Sequence, residues 1–455
     1  MNDYDVIVIG AGGAGLAAAS VAADNGARVL VVDAAEKAGG STALSGGVFY
    51  AAGTSLQRQA GIEDNAEDLF RYYMNVNQHK LEASVVRRLC NDAAPTFEWL
   101  VSLGVNFPLA NLYCSGVDKV RRGHRAERHG LEIAEALEGS LAGKSVDLVP
   151  LTRVQKLVLD QGRVAGIEVG GDTIRAGAVV LASGGFGNNP RLLAELYPSA
   201  SRQGDLLWYI GSKHSKGDGL EMGRAVGAET SPPNCGLLLL TPGFVKELEP
   251  YLPPWVVHVN HEGRRFIDES TEYSVLAEVL MSQTASECFA LFDEAARASS
   301  RGQTAPNWAA DRLAHFAQTG TLVRADTMAG LAERLGIRTE SLETTIEVYN
   351  QGVRAGADDR FFKDAAHLKE IATAPFYGAR IRPAVVCWTG TGLRIDSEAR
   401  VLNKADRPIP GLYAAGETTG GMFGQCYAGG GASIGNAVIF GRVAGRNAAL
   451  EAAVR

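Results

Sequence analysis

Residues 6–9 (Val-Ile-Val-Ile) are a continuous apolar, β-branched run, the pattern of a strand buried in a parallel sheet. The chain then passes through Gly10-Ala11-Gly12-Gly13-Ala14-Gly15 into an Ala-rich stretch that predicts a helix to about Asn25, stopped by Gly26. A second apolar run, 28–32, ends in Asp33. Between 148 and 174 the pattern is one of short strands, with turns at Asp160-Gln161-Gly162 and Gly170-Gly171-Asp172. The apolar run 178–182 ends in Ser183-Gly184-Gly185-Phe186-Gly187-Asn188, and another strand is predicted over 411–415. Helical segments are expected at 329–335, at 341–351 and from Ala437 to about Glu451.

The alternation of strands and helices predicts an α/β fold. Its first turn has the chemistry of a dinucleotide site. Gly10 makes the tight turn, Gly12 lets backbone approach a pyrophosphate, and Gly15 lets the helix pack on the sheet. The helix N-terminus at Gly13 and Ala14 offers free N–H groups to phosphate, and Asp33 is placed to accept from a ribose, which argues against a 2′-phosphate. A regular βα unit does not follow Asp33. Instead Gly39-Gly40-Ser41-Thr42-Ala43-Leu44-Ser45-Gly46-Gly47 supplies a second small-residue segment, and this favours the longer FAD over NAD. The turn at 182–188, Gly416-Glu417 and the small-residue segment Gly429 to Ala437, which leads into the last helix, add three further close approaches. That helix N-terminus suits negative charge on a reduced flavin.

Composition changes the picture little. Glycine is high, 54 of 455 residues, against a typical ~7%. The net charge of −7 gives no footprint for nucleic acid. Cys90, Cys114, Cys235, Cys288, Cys387 and Cys426 are scattered without a CxxC pair, which argues against a disulfide scaffold, a zinc site, an iron–sulfur cluster or any other metal centre. The acidic opening Met1-Asn2-Asp3-Tyr4-Asp5 and the absence of a long apolar run predict a soluble, reduced, cytoplasmic protein with no integral membrane segment. Oligomeric state is left open.

The motifs now quoted, together with Lys216-Gly217-Asp218-Gly219-Leu220-Glu221-Met222, Val259-Asn260-His261-Glu262-Gly263-Arg264-Arg265-Phe266, Pro375-Phe376-Tyr377 and Leu412-Tyr413-Ala414-Ala415-Gly416-Glu417, resemble the flavoprotein group of fumarate reductases, succinate dehydrogenases, urocanate reductases and 3-ketosteroid dehydrogenases. The resemblance covers nearly the whole chain. It implies a Rossmann-like FAD-binding domain in two parts, 1–232 and 360–455, with an α+β capping domain, 233–359, inserted between them and opening on the Pro-rich segment that starts at Pro250. The expected cofactor contacts are Gly10, Gly12, Gly13, Ala14, Gly15, Asp33, Ala34, Gly40, Ser41, Thr42, Ser45, Gly46, Gly47, Val154, Ala182, Gly184, Asn188, Asp218, Gly416, Glu417, Ala432, Ser433 and Ile434. Covalent members carry a His in the loop matching Ser41 to Gly47. None stands there, so non-covalent FAD is implied. With no second GxGxxG after a strand and no haem CxxCH, the expected electron partner is diffusible: a quinone, O2 or a dye.

The resemblance also places the chemistry. Where fumarate reductases deliver a proton from a cap Arg and hold dicarboxylate with His and Arg, this chain has Tyr273, Phe423 and Tyr427. Burying a dicarboxylate beside rings without paired cations is costly. The replacements resemble the 3-ketosteroid dehydrogenase branch, in which a Tyr at the position of Tyr273 removes the α-proton while hydride leaves the β-carbon. There a Tyr and a Gly four residues on, here Tyr427 and Gly431, hold the enolate oxygen. A phenol of pKa ~10 is a weak base, and Tyr113 is the candidate helper. The expected activity is FAD-dependent desaturation of a cyclic ketone at its α,β carbon–carbon bond. The alternatives are an ene-reductase of the fumarate or urocanate reductase type and a non-catalytic flavin-binding subunit. Arg265 and Glu269 are expected as ion-pair partners, and His124, His129, His258 and His261 as surface or loop residues. Arg121 to Arg125 are candidates for an acidic substrate's approach, and Trp388 for a pocket wall.

Overall fold

A parallel sheet is built outward from the strand Tyr4–Ile9, which pairs with Val29–Val32 on one side and Asp172–Leu181 on the other. Pro408–Ala414 continues it parallel beyond Asp172–Leu181, Val146–Val149 beyond Val29–Val32, and Arg400–Leu402 closes one edge antiparallel. The strands Lys156–Asp160 and Arg163–Val169 form the expected antiparallel extension of Asp172–Leu181. Val6, Ile7 and Val8 are fully buried, as an unbroken apolar run on a two-sided sheet requires. The computed structural model describes residues 2–117, 119–247, 251–302 and 305–454; Pro250 lies outside them.

The chain divides into two compact units. One is formed by Met1–Ser201, Gly211–Leu237 and Cys387–Arg455, the other by Arg202–Ile210 and Leu238–Val386. In the first, helices Gly13–Asp24 and Ala432–Ala453 pack with almost no side chain between them. A Cβ on Gly441 or Gly445 would lie 2.3 Å from the Ala14 carbonyl oxygen or 2.1 Å from that of Ala18. The second helix starts at Ala432, earlier than the Ala437 expected, because Gly431 takes the left-handed φ of +99° that caps it.

The second unit has a sheet ordered Trp208–Tyr209, Phe376–Thr389, Cys288–Asp293, Val257–Val259, with Gly236–Pro242 and Val323–Ala325 also on the long strand. This strand explains why the unit runs past residue 359 to Val386: residues 376–381 pair with Cys288–Asp293. Along Cys288–Asp293 the side chains alternate. Cys288, Ala290 and Phe292 join the core that holds Leu276, Leu280, Trp308 and Phe316, whereas Phe289 and Leu291 join that of Leu331, Leu342 and Ile346.

Arg265 is indeed an ion-pair partner. It bonds both oxygens of Glu269 at 2.9 Å and Asp358 Oδ2 at 2.9 Å, while Lys363 Nζ reaches Glu269 Oε2 at 3.1 Å and donates to the Val256 carbonyl at 2.7 Å. Burial alone would raise the Glu269 carboxyl; Lys363 and Arg265 hold it below its ordinary range. Removing one member of such a cluster costs about 3–5 kcal/mol.

Two histidines depart from expectation. His258 and His124 are not surface residues but fully buried strand positions. His124 is satisfied there, by the Thr54 hydroxyl at 2.8 Å on one ring nitrogen and the Arg122 and Phe49 carbonyls on the other. Both ring nitrogens of His258 lack a hydrogen-bond partner among the described residues. His261 is half-buried on Glu287 at 2.7 Å, and His129 is exposed. Arg122 is likewise buried, paired to Asp64 at 2.7 and 2.8 Å, so it is not part of an approach path.

Candidate active site

The Gly-rich segments meet at the C-terminal ends of the parallel strands, where topology brings ligands in folds of this kind. Gly10 (φ +107°) donates its N–H to the Val32 carbonyl at 2.8 Å, and a Cβ there would lie 2.4 Å from the Ala182 oxygen. A Cβ on Gly15 would lie 1.8 Å from the Gly10 oxygen. Gly12 differs: the position of its missing Cβ is open, with no other heavy atom within 4 Å, at the start of the helix that contains Gly13 and Ala14. This is the cradle a pyrophosphate needs, so the residues present fit FAD. Gly39 forms a bridge to Gly12 and leads into the short helix Gly40–Leu44, in which Thr42 Oγ1 accepts the Gly13 N–H at 3.3 Å. Gly416 (φ +73°) lies against the same helix start, where a Cβ would meet Ala14 Cβ at 2.9 Å.

Asp33, beside Ala34, is engaged within the protein: Oδ2 accepts the Ala11 N–H and Oδ1 the Ala35 N–H, both at 2.6 Å. It ties the first turn to the second strand. Ser41 Oγ accepts the Ser212 N–H at 2.9 Å; Ser45 Oγ accepts that of Gly47 at 3.2 Å. His129, expected as a surface or loop residue, is exposed beside this loop, its Nδ1 3.3 Å from the Gly46 oxygen, whereas the loop's own residues contain no histidine. Asn188 holds the Lys213 carbonyl at 2.7 Å, and Gly184 receives the Thr418 hydroxyl at 3.0 Å. Val154 is buried next to Arg153, which pairs with Asp218 at 2.6 Å, and burial raises the Asp218 carboxyl despite that pairing. Glu417 Oε1 accepts the Thr389 N–H and hydroxyl at 2.8 and 2.7 Å.

Of the four catalytic candidates, the first unit brings together Tyr113, Tyr427 and Gly431. Tyr427 is buried, its ring centroid 5.7 Å from Phe423 and 6.2 Å from Trp388, and Tyr73 packs on Phe423 at 5.9 Å. The Tyr427 hydroxyl donates to Ser433 Oγ at 2.9 Å and accepts the Ser433 N–H at 2.8 Å, in the first turn of Ala432–Ala453 alongside Ile434. Burial pushes its pKa up, Ser433 opposes the shift, and Tyr113 adds to it. Tyr113, half-buried on Leu112–Cys114, pairs with Gly123, whose missing side chain leaves room for the ring at 3.0 Å, and the Arg125 guanidinium lies 5.7 Å from its centroid. No side chain is tolerated at Gly431, where a Cβ would lie 2.5 Å from the Val48 oxygen.

Tyr273 belongs to the second unit. It is the first residue of helix Tyr273–Met281, buried, with its ring edge-on to Tyr251 at 5.4 Å. Glu272 caps that helix through the Ser274 N–H at 2.8 Å, and burial raises its carboxyl. Among the described residues no group of three or more His, Cys, Asp or Glu could hold a metal, and no helix is long and apolar enough to cross a membrane.

The parallel sheet with its converging glycine turns defines a flavoprotein of the dinucleotide-binding class. The chain belongs to the family described as FAD binding domain (FAD_binding_2), which it matches over residues 5–434. It is an FAD-dependent oxidoreductase of the group holding fumarate reductases and ketosteroid dehydrogenases, which act on carbon–carbon bonds. It is 30% identical over 462 residues to a fumarate reductase (cytochrome) of Shewanella frigidimarina, covering 98% of this chain and 77% of that protein. It is 31% identical over 471 residues to the urocanate reductase of Eggerthella lenta, covering 99% and 75%. The crystal structure of 3-ketosteroid-delta4-(5alpha)-dehydrogenase from Rhodococcus jostii RHA1 is similar with a TM-score of 0.83 at 27% identity, covering 99% and 98%.

Proposed function

We propose that the protein desaturates a cyclic ketone at its α,β carbon–carbon bond. The observation that carries this reading is the surround of Tyr427: a phenol set on a helix N-terminus with the rings of Phe423 and Trp388 beside it, Phe423 and Tyr427 standing at the positions where the resemblance puts the cations of a dicarboxylate enzyme. Tyr427 and the Gly431 N–H hold the ketone oxygen as it gains negative charge, helped by the positive end of Ala432–Ala453. Tyr273 takes the α-proton, and Tyr113 assists. When bound, FAD supplies the acceptor for the hydride. The cofactor is held by the Gly10–Gly15 turn, Asp33, the Gly40–Gly47 loop and the first turn of the last helix. A diffusible oxidant completes turnover. The likeness to the Rhodococcus ketosteroid dehydrogenase supports a ketone.

A second reading has its own support. Relatives at 30–31% identity are named as fumarate and urocanate reductases, so the same groups run in reverse would give an ene-reductase with Tyr273 as proton donor. Anaerobic mixing of the oxidised protein with a panel of saturated cyclic ketones separates the two. Bleaching of the flavin absorbance supports desaturation. Inertness to ketones, with reoxidation of the reduced protein by an activated alkene, overturns it in favour of reduction.

A further inference from the structure

We propose that Tyr72 is a positioning residue that fixes the loop of Tyr427 against the segment following Tyr113 and acts on the reaction through Tyr427. The inference rests on the role given to Tyr427 above. Tyr72 lies on helix Ala66–Val76 and its single hydroxyl serves two loops: it donates to the Ala428 carbonyl at 2.6 Å and accepts the Val117 N–H at 3.0 Å. One bond is made one residue after Tyr427, the other four residues after Tyr113. Between them stands Gly116 (φ +87°), where a Cβ would lie 2.1 Å from the Tyr72 hydroxyl and 2.2 Å from the Ala428 oxygen. Three groups converge where no side chain fits.

Residues 421–430 form no helix or strand, so their path is imposed from outside. The same helix supplies a second hold through its C-cap: Asn77 Oδ1 accepts the N–H groups of Gly424 at 3.0 Å and Cys426 at 3.3 Å. The segment after Tyr113 supplies a third, since Ser115 Oγ accepts the Gly430 N–H at 2.6 Å. Tyr72 is the member that joins both loops at one atom. Its ring is itself fixed, 6.4 Å from the rings of Tyr50 and Tyr73 and under the Arg122 guanidinium at 5.4 Å. A rigid phenol bridging two carriers of reacting groups sets their spacing, and misplacement by about 1 Å is worth up to ~100-fold in rate.

The test is Tyr72→Phe, which keeps the ring and removes the hydroxyl. It is expected to retain FAD, to show faster amide hydrogen exchange in the peptide spanning 424–430, and to turn over about 10- to 100-fold more slowly, with kcat changed more than KM. In a Tyr427→Phe background Tyr72→Phe should cost no further rate, because it acts through that hydroxyl. The cycle is run with a ketone, or with an activated alkene on reduced protein if ketones prove inert. Inertness to ketones counts against the desaturase reading and leaves the cycle to judge Tyr72. Unchanged exchange in 424–430, or the same fold-loss with and without the Tyr427 hydroxyl, overturns the proposal.

Discussion

The Tyr427 hydroxyl accepts the Ser433 backbone N–H at 2.8 Å while sharing a hydrogen bond with the Ser433 side chain at 2.9 Å. Both partners are hydroxyls, so the shared bond can reverse. Ser433 Oγ–H then donates to the phenol oxygen and the phenol proton is left for a substrate oxygen. Tyr427→Phe should therefore lose roughly 2.7–4 kcal/mol of transition-state stabilisation and weaken binding of phenol-like enolate mimics. Anaerobic stopped-flow reduction with a ketone measures the first, absorbance titration the second. A wild-type rate would make Tyr427 a packing residue.

Tyr273→Phe should slow the same reduction by about 10²–10⁴-fold while FAD content and ketone affinity hold. The double Phe variant should lose less than the product of the two losses, because proton removal and oxyanion stabilisation belong to one step. Fully multiplicative losses would separate the two residues.

Gly12 and Gly15 should fail differently. Gly12→Val meets open space in the protein and should fold with little change in melting temperature, yet purify without flavin. Gly15→Ala would place a carbon 1.8 Å from the Gly10 oxygen and should fail to give folded protein. Flavin content and circular dichroism of the pair decide; flavin-loaded Gly12→Val would displace the phosphates from this turn.

Acid precipitation should release FAD intact. His129, close to the Gly46 oxygen, is the residue to control for, and His129→Gln should release flavin equally. Flavin that stays with wild-type polypeptide but leaves the variant would mean a covalent link at His129.

Burial lowers the His258 pKa from 6.5 to about 4, Lys363 and Arg265 press the same way, and Glu269 opposes them. Its folded pKa lies below the unfolded one, so between about pH 6.5 and 4 the unfolded chain binds the extra proton and stability falls as pH falls. Between pH 7 and 4.5, His258→Leu should lose less stability than the wild type, by on the order of 2–3 kcal/mol. Urea unfolding across that range measures it, and parallel curves would count against a buried neutral ring.

What could be read from the chain was what local geometry enforces. Gly10 and Gly15 are required by contacts within a few residues or one strand away, so their spacing carries the dinucleotide turn on its own. His129 against Gly46 and Tyr72 against Ala428 join residues far apart in sequence, and no spacing encodes such pairs. The burial of His258 and His124 is not legible in the sequence because the short strands Val257–Val259 and Arg121–Arg125 carry polar residues at inward positions, where burial is decided by the layers stacked on them. The last helix starts before its apolar periodicity does, because the cap at Gly431 depends on φ rather than on that periodicity.

The glycine contacts of Gly441 and Gly445 with Ala14 and Ala18 have a consequence for biosynthesis. The two faces of this helix pair are synthesised more than 420 residues apart, which at ~5–20 residues per second is roughly 20–90 s between them. Meanwhile the strand Asp172–Leu181 lacks its neighbour Pro408–Ala414, and the helix Gly13–Asp24 lacks its partner Ala432–Ala453. The second unit, nearly contiguous over Leu238–Val386, can complete its own core in that interval. The first unit, whose sheet needs Pro408–Ala414 and whose helix pair needs Ala432–Ala453, thus completes its packing late.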